Sequence, residues 1–285
     1  MSLETIDDHG PCGFTRRVIA RLDIKGENVV RGIHLEGLRV VGKPDEMAGR
    51  YSLEGVDEIV FLDIVATLYG RNNTLAIVER TARNTLLPLA VGGGIRTLDD
   101  VESVLRSGGD KVAINSAAVR RPEFVSEIAR DFGSQCVVAM IEAKRCGPGR
   151  WTVLIENGRE ATGLDAVAWA RRLAELGAGE IMLTSIDRDG TRTGCDLALV
   201  REVTSAVSVP VIAGGGAGNP AHVAEAIREG GADAVALGTL LHFNLFTIAD
   251  VKRELQAAGV PVRPLAPRRE TAVISGSWAA AEEKR

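Results

Sequence analysis

The chain has 285 residues, 45% of them hydrophobic and 25% charged, with a net charge of −4 and a pI of about 5.7. That length suits one α/β barrel with tails and buries a core that needs no disulfide or metal staple. The acidic balance gives no electrostatic ground for binding nucleic acid or an anionic membrane. No apolar run approaches the roughly 20 residues of a membrane helix, and the acidic start, Met1–Gly10, lacks the apolar core of a signal peptide. Cys12, Cys136, Cys146 and Cys195 lie far apart with no CxxC spacing. Free thiols in a reducing cytoplasm are therefore expected, not a disulfide frame or a zinc site.

In chain order, residues 1–15 are expected to form a tail. Strands are predicted at Val18–Asp23, Glu58–Asp63, Leu89–Val91, Lys111–Ile114, Cys136–Ile141, Ile181–Thr184, Val211–Ala213 and Ala234–Leu237. Most are near-continuous apolar runs, the pattern of parallel strands covered by helices. Amphipathic stretches between them include Leu98–Arg106, Glu123–Asp131, Leu164–Leu176 and Ala221–Glu229. Thr97 before Asp99 and Asp100 reads as a helix start. The stretch Lys144–Thr162 breaks the rhythm. Its turn signals, Gly147-Pro148-Gly149 and Asn157-Gly158, predict a hairpin around Trp151–Ile155, lying over one rim. Residues 264–285, rich in Pro, Ala, Glu and Arg, are expected to be a second, mobile tail.

Eight alternations fit either a closed barrel or an open doubly wound sheet. An internal repeat decides. An offset of 122 positions relates Glu58-Ile59 to Glu180-Ile181, Val91-Gly92-Gly93-Gly94 to Ala213-Gly214-Gly215-Gly216, and Gly108-Gly109 to Gly230-Gly231. Two halves of four βα units make a (β/α)8 TIM barrel with an internal half-barrel repeat over residues 16–263.

The active site of such a barrel lies at the C-terminal ends of its strands. Two glycine loops, Gly92-Gly93-Gly94 and Gly214-Gly215-Gly216, stand there at equivalent places. Each is followed one strand later by a small polar pair, Asn115-Ser116 or Gly238-Thr239. Glycine lets backbone N–H groups close on an anion. Twin loops therefore predict a substrate with two phosphates, although one such loop could equally be a tight turn. Asp23 and Glu142 end the first and fifth strands, which face each other across the barrel. Opposed carboxylates between two phosphate sites suit general acid–base work, against the commoner role of salt-bridged rim residues. His9, His34, His222 and His242 show no ligand spacing, so metal catalysis is not expected; no organic cofactor is implied either. At the other rim, Arg17, Glu58, Lys111 and Glu180 begin strands one, two, four and six. Charges there usually serve stability, but these four could also close the barrel floor as a ring.

From Arg16 to Arg263 the chain resembles the cyclase subunit of imidazole glycerol phosphate synthase. The runs that carry the likeness include Phe61-Leu62-Asp63, Val91-Gly92-Gly93-Gly94-Ile95, Ile114-Asn115-Ser116-Ala117-Ala118-Val119 and Leu183-Thr184-Ser185-Ile186-Asp187-Arg188-Asp189-Gly190-Thr191. The resemblance implies a separate glutaminase partner at the N-terminal rim. Its ammonia would pass through the barrel to a bis-phosphorylated ribulosyl formimino-carboxamide nucleotide. The products would be imidazole glycerol phosphate and aminoimidazole carboxamide ribotide. On this likeness Arg17, Glu58, Lys111 and Glu180 match an ammonia gate, and Asp23 matches one catalytic aspartate. Gly94, Asn115 and Ser116 match one phosphate site. Asp189, Gly190, Gly216, Gly238 and Thr239 match the other, with substitutions at the last two.

Three departures stand out. Glu142 replaces the second catalytic aspartate, Arg31 replaces a loop lysine, and Arg21 replaces a small inward residue. Strand parity puts residues 17, 19, 21 and 23 on one face, so Arg21 should point inward with Asp23. A buried arginine needs an acid, and Glu142 is the expected partner, its proton affinity lowered by the pair. The departures, with runs such as Arg21-Leu22-Asp23-Ile24-Lys25-Gly26 and Leu68-Tyr69-Gly70-Arg71-Asn72-Asn73, also resemble paralogues linked to sugar amidation in surface polysaccharide synthesis. There the barrel would relay ammonia toward an acetamido sugar. Two further alternatives are a non-catalytic barrel that conducts ammonia for a glutaminase, and a single-phosphate isomerase.

Overall fold

The computed structural model describes residues 14–65 and 74–265. Residues 1–13 and 266–285, most of the two expected tails, lie outside the described residues, as does Leu68–Asn73.

The chain opens with β1 (Arg17–Lys25) and a hairpin of β2 (Asn28–Ile33) and β3 (Glu36–Gly42), then α1 (Pro44–Glu54) and β4 (Glu58–Asp63). Next come α2 (Thr74–Ala82), β5 (Leu89–Gly92), α3 (Leu98–Arg106), β6 (Lys111–Ile114), α4 (Ser116–Arg120) and α5 (Glu123–Phe132). The second half holds β7 (Val137–Gly147), β8 (Arg150–Ile155), β9 (Glu160–Asp165), α6 (Ala166–Glu175), β10 (Glu180–Ser185) and α7 (Leu197–Thr204). It ends with β11 (Val211–Gly214), α8 (Pro220–Arg228), β12 (Ala234–Leu237), α9 (Thr239–His242) and α10 (Ile248–Ala257).

Eight strands pair in parallel in the order β1, β4, β5, β6, β7, β10, β11, β12, and β12 closes on β1. Each of the eight runs predicted as strands forms a strand of this barrel, except that Cys136 falls in a 3-10 turn and its strand begins at Val137. Alternation along β1 shows why apolar runs serve here. Val18, Ala20, Leu22 and Ile24 face the helices, while Ile19 joins Val60, Ala90, Val138, Met182 and Ile212 in a separate interior layer. Helix starts follow capping chemistry. Thr97 and Asp100 form a reciprocal box at α3, and Asp165 accepts from Val167 N and Ala168 N at α6.

Two excursions leave the barrel at equivalent points, after β1 and after β7. The hairpin expected over Lys144–Thr162 exists, but it is one strand longer. Glu160–Asp165 pairs with β8, so the helix expected from Leu164 begins at Ala166, where Asp165 caps it. Trp151 anchors this excursion: it is 1% exposed, its Nε1 donates to Asp196 at 2.9 Å, and Arg145 lies over its ring and bonds the same carboxylate. The β2–β3 hairpin carries no counterpart in the predicted elements. The two excursions meet the loop after β10 in a small apolar cluster of Leu35, Leu154 and Ile186. His34 fastens the first hairpin, its Nδ1 donating to Ile186 O at 2.7 Å and its backbone N to Asp189 O at 2.9 Å. Among the described residues no helix is long and apolar enough to cross a membrane.

Candidate active site

At the N-terminal end of the barrel, Arg17 starts β1, Glu58 starts β4, Lys111 starts β6 and Glu180 starts β10. Arg17 bonds Glu58 at 2.6 Å and Glu180 at 2.7 Å, and Lys111 bonds the same two acids at 3.1 and 3.0 Å. Each acid thus meets both cations, and signs alternate around a closed ring. Burial opposes charge on Arg17, but Glu180 and Glu58 outweigh it and raise its pKa.

Above this floor lies the apolar layer around Ile19. Two residues further along β1, Arg21 points inward, as parity requires. Its partner is not Glu142. Nε donates to Asp23 Oδ1 at 2.8 Å, and Nη1 reaches Thr184 Oγ1 on β10 at 2.9 Å. The reason is proximity: Asp23 lies two residues along the same face of the same strand, while Glu142 is on the opposite wall. Since β10 lies three strands from β1 around the barrel, the guanidinium crosses the lumen.

Of the catalytic and phosphate-site residues predicted for the C-terminal mouth, all but Asp23 line one of two cavities. The first, about 240 Å³, is lined by Gly94, Asn115, Ser116 and Glu142, with Arg21 at its base. Arg120, Arg121, Glu156 and Asn157 also line it and were not singled out by sequence. Ser116 Oγ accepts from Glu156 N at 3.1 Å, and Arg120 holds the Glu156 carboxylate at 2.5 Å. Glu156 and Asn157 have φ of 55° and 56°, a tight bend that includes the first residue of the Asn157-Gly158 turn signal, which could have flagged both as rim residues.

The second cavity is lined by Arg21, Arg31, Asp189, Gly190, Gly216, Gly238 and Thr239, and measures about 20 Å³. That is room for about one water, not for a phosphate. Arg31, on β2, fills the rest. Its Nε donates to Thr239 Oγ1 at 2.9 Å, Nη1 to Asp23 Oδ2 at 2.8 Å and Nη2 to Asp189 Oδ1. Gly238 leaves space for this guanidinium, since a Cβ there would stand 3.3 Å from the Arg31 Cζ. Gly190, at φ +74°, admits the hairpin backbone, because a Cβ would meet Gly32 O at 2.5 Å. Asp23 lines neither cavity, being roofed by its two arginines.

The two carboxylates sit in opposite environments. Burial would raise the Asp23 pKa, but Arg21 and then Arg31 outweigh it and hold the carboxyl below its usual range. Glu142 is 4% exposed, and burial pushes its carboxyl up to about 7 against the pull of Arg21 and of Gly158 N–H, which donates to Oε2 at 2.8 Å. The expected lowering of Glu142 by an Arg21 pair is therefore reversed, because distance leaves desolvation in control. Such a pair, one acid held down by its arginines and the other raised to titrate near neutrality, can take a proton at one wall and give one at the other. Among the described residues no three His, Cys, Asp or Glu side chains converge as a metal site.

The family model described as "Histidine biosynthesis protein" matches residues 17–247. The chain is 55% identical over 252 residues to the imidazole glycerol phosphate synthase subunit HisF of Myxococcus xanthus (strain DK1622), covering 88% of this chain and 99% of that protein. It is 61% identical over 202 residues to the subunit of the same name from Legionella pneumophila, covering 71% and 95% respectively.

Proposed function

Since the chain belongs to the histidine biosynthesis protein family, we propose that it is the cyclase subunit of imidazole glycerol phosphate synthase. Its substrate would be the bis-phosphorylated ribulosyl formimino-carboxamide nucleotide, which reacts with ammonia to give imidazole glycerol phosphate, aminoimidazole carboxamide ribotide and water. One observation carries this reading beyond family membership. Asp23 and Glu142 stand on opposite walls of one mouth beside two glycine-lined cavities, the pKa of the first lowered by its arginines and that of the second raised by burial.

In this reading the Gly94, Asn115 and Ser116 loop holds one phosphate in the open cavity. The second phosphate goes to Asp189, Gly190, Gly216, Gly238 and Thr239, and Arg31 exchanges its contacts with Asp23, Asp189 and Thr239 for phosphate oxygens. That exchange releases one oxygen of Asp23 to accept a proton from the ammonia nitrogen as it adds. Glu142, entering protonated, gives its proton to the departing carboxamide half. The ammonia comes from a glutaminase seated on the N-terminal rim. It passes the ring of Arg17, Glu58, Lys111 and Glu180 and the apolar layer around Ile19. In this reading the protein works in the cytoplasm, where free glutamine is available to its partner.

A second reading has its own support. Arg31 already fills the second cavity, held by two carboxylates, which favours a substrate with one phosphate or an acceptor beyond this chain. The barrel would then relay ammonia for acetamidino-sugar formation, or conduct it without turning over a substrate. Turnover of the nucleotide with excess ammonium and no glutaminase separates the readings. Both products at an enzymatic rate establish the cyclase. No turnover by folded protein that still stimulates a glutaminase moves the assignment to ammonia conduction.

A further inference from the structure

Arg21 has one donor group that neither the fold nor the proposed proton transfers use. The residue is 3% exposed, and its Nε and Nη1 are taken by Asp23 and Thr184. Nη2 has no protein partner. A buried guanidinium nitrogen without an acceptor is costly, so such an atom in a cavity wall calls for a ligand atom. Arg21 lines both cavities, and so stands midway between the two glycine loops. On the same open cavity, Asn115 Oδ1 and Asn157 Nδ2 are also buried without partners. The polar complement of the ligand is thus partly written on the wall: an acceptor for Arg21, and further polar groups for the two asparagines.

Charge decides what kind of acceptor. Arg21 and Arg31 face Asp23 and Asp189, two cations against two anions, joined in one hydrogen-bonded chain. A carboxylate brought to Arg21 would add an unbalanced charge to a buried, already neutral cluster. An uncharged carbonyl oxygen satisfies the donor without that cost.

We propose that Arg21 is a specificity-determining residue whose Nη2 binds an uncharged carbonyl oxygen, of an amide or ketone, on a phosphate ester seated in the Gly94–Ser116 cavity. This deepens the proposed function, on whose phosphate site it rests. It holds whether the ester is a nucleotide or a sugar.

The test compares two phosphate esters of equal shape, 4-amino-4-oxobutyl phosphate with a terminal carboxamide and 4-methylpentyl phosphate with an isopropyl group in its place. Each is titrated calorimetrically into the full-length protein, beside inorganic phosphate. The amide ester should bind about tenfold or more tighter than the alkyl ester, the range for a hydrogen bond from a charged donor. Arg21→Met removes the donor, and Arg21→Lys keeps the charge and a contact to Asp23 but lacks the second fork nitrogen. Both should erase the preference, read within each variant as the ratio of amide-ester to alkyl-ester affinity, and the lysine variant guards against a methionine variant that fails to fold. Phosphate binding without amide preference in the wild type, or a preference that survives in Arg21→Lys, overturns the Arg21 assignment alone. Absence of phosphate binding overturns the phosphate site and this proposal together.

Discussion

Arg31 Nη1 donates to Asp23 Oδ2 at 2.8 Å, which ties the β2–β3 hairpin to the carboxylate at the end of β1. The same guanidinium holds Asp189 and Thr239, so one side chain both fills the second cavity and shields Asp23.

Arg31→Ala should therefore cost about 3 kcal/mol of stability. It leaves Asp189 without its cation and Asp23 with one arginine instead of two, and breaking a buried pair from one side costs about 3–5 kcal/mol. Arg31→Lys should cost less, since a single ammonium still neutralises the pair but cannot reach three acceptors. Urea unfolding at neutral pH measures both. Equal stability of the alanine variant and wild type would show the network to be energetically idle.

At the floor, Lys111→Ala leaves Glu58 and Glu180 with Arg17 alone. If the ring governs ammonia entry, the complex with a glutaminase should consume glutamine without matching product. Turnover driven by external ammonium should stay within about twofold of wild type, because Lys111 lies at the far end of the barrel from both cavities. Parallel loss of both activities would make the ring a stability feature only.

Asp196 joins three separate groups: Trp151 Nε1, Arg145 and, as helix cap, Leu199 N. Asp196→Ala should destabilise the protein by about 2–3 kcal/mol, combining a lost cap and an unpartnered buried indole N–H. Asp196→Asn keeps one acceptor oxygen, enough for either Trp151 Nε1 or Leu199 N but not both, and should cost less than the alanine variant, about 1–2 kcal/mol. Thermal melts of the two variants check the order, and an asparagine variant as unstable as the alanine one would point to the charge on Arg145 instead.

The eight barrel strands and the four floor charges were legible because parallel strands need unbroken apolar runs and because strand starts place residues by position alone. The β2–β3 hairpin was not, since Val29, Val30 and Ile33 form too short a run beside the polar stretch Glu36–Gly42. The repeat nevertheless held the signal. Shifting β8, Arg150–Ile155, back by 122 positions lands on Asn28–Ile33, the bounds of β2. Parity gave Arg21 its direction but not its partner, because alternation fixes which face a side chain takes and says nothing of which of two inward acids lies nearer. Arg31 stood out as the replacement of a loop lysine, but its filling of the second cavity depends on how the hairpin folds back over Gly190, which no local pattern encodes.

Glu142 yields the last prediction, a pH dependence with a definite sign. Its carboxyl is raised from 4.5 in the unfolded chain to about 7 in the fold, chiefly by burial. The folded state therefore binds the proton more tightly, and below about pH 4.5 both states are protonated and Glu142 contributes nothing to the balance. As pH rises from 4.5 to about 7 the unfolded state ionises first, and stability falls by about 3 kcal/mol before levelling off. Asp23 acts in the opposite sense at lower pH, because its pKa is depressed and its contribution fades only as the medium turns more acidic. Glu142→Gln removes the ionisation but keeps an oxygen for Gly158 N–H. The wild-type and glutamine proteins should thus match in stability near pH 4.5, and the glutamine variant should be the more stable at pH 8. The same titration sets the activity. With free ammonia held constant, wild-type turnover should decline above about pH 7 as Glu142 loses the proton it has to give. A turnover that instead rises through that range, with the stability difference as stated, would make Glu142 the base of the pair and Asp23 a fixed charge.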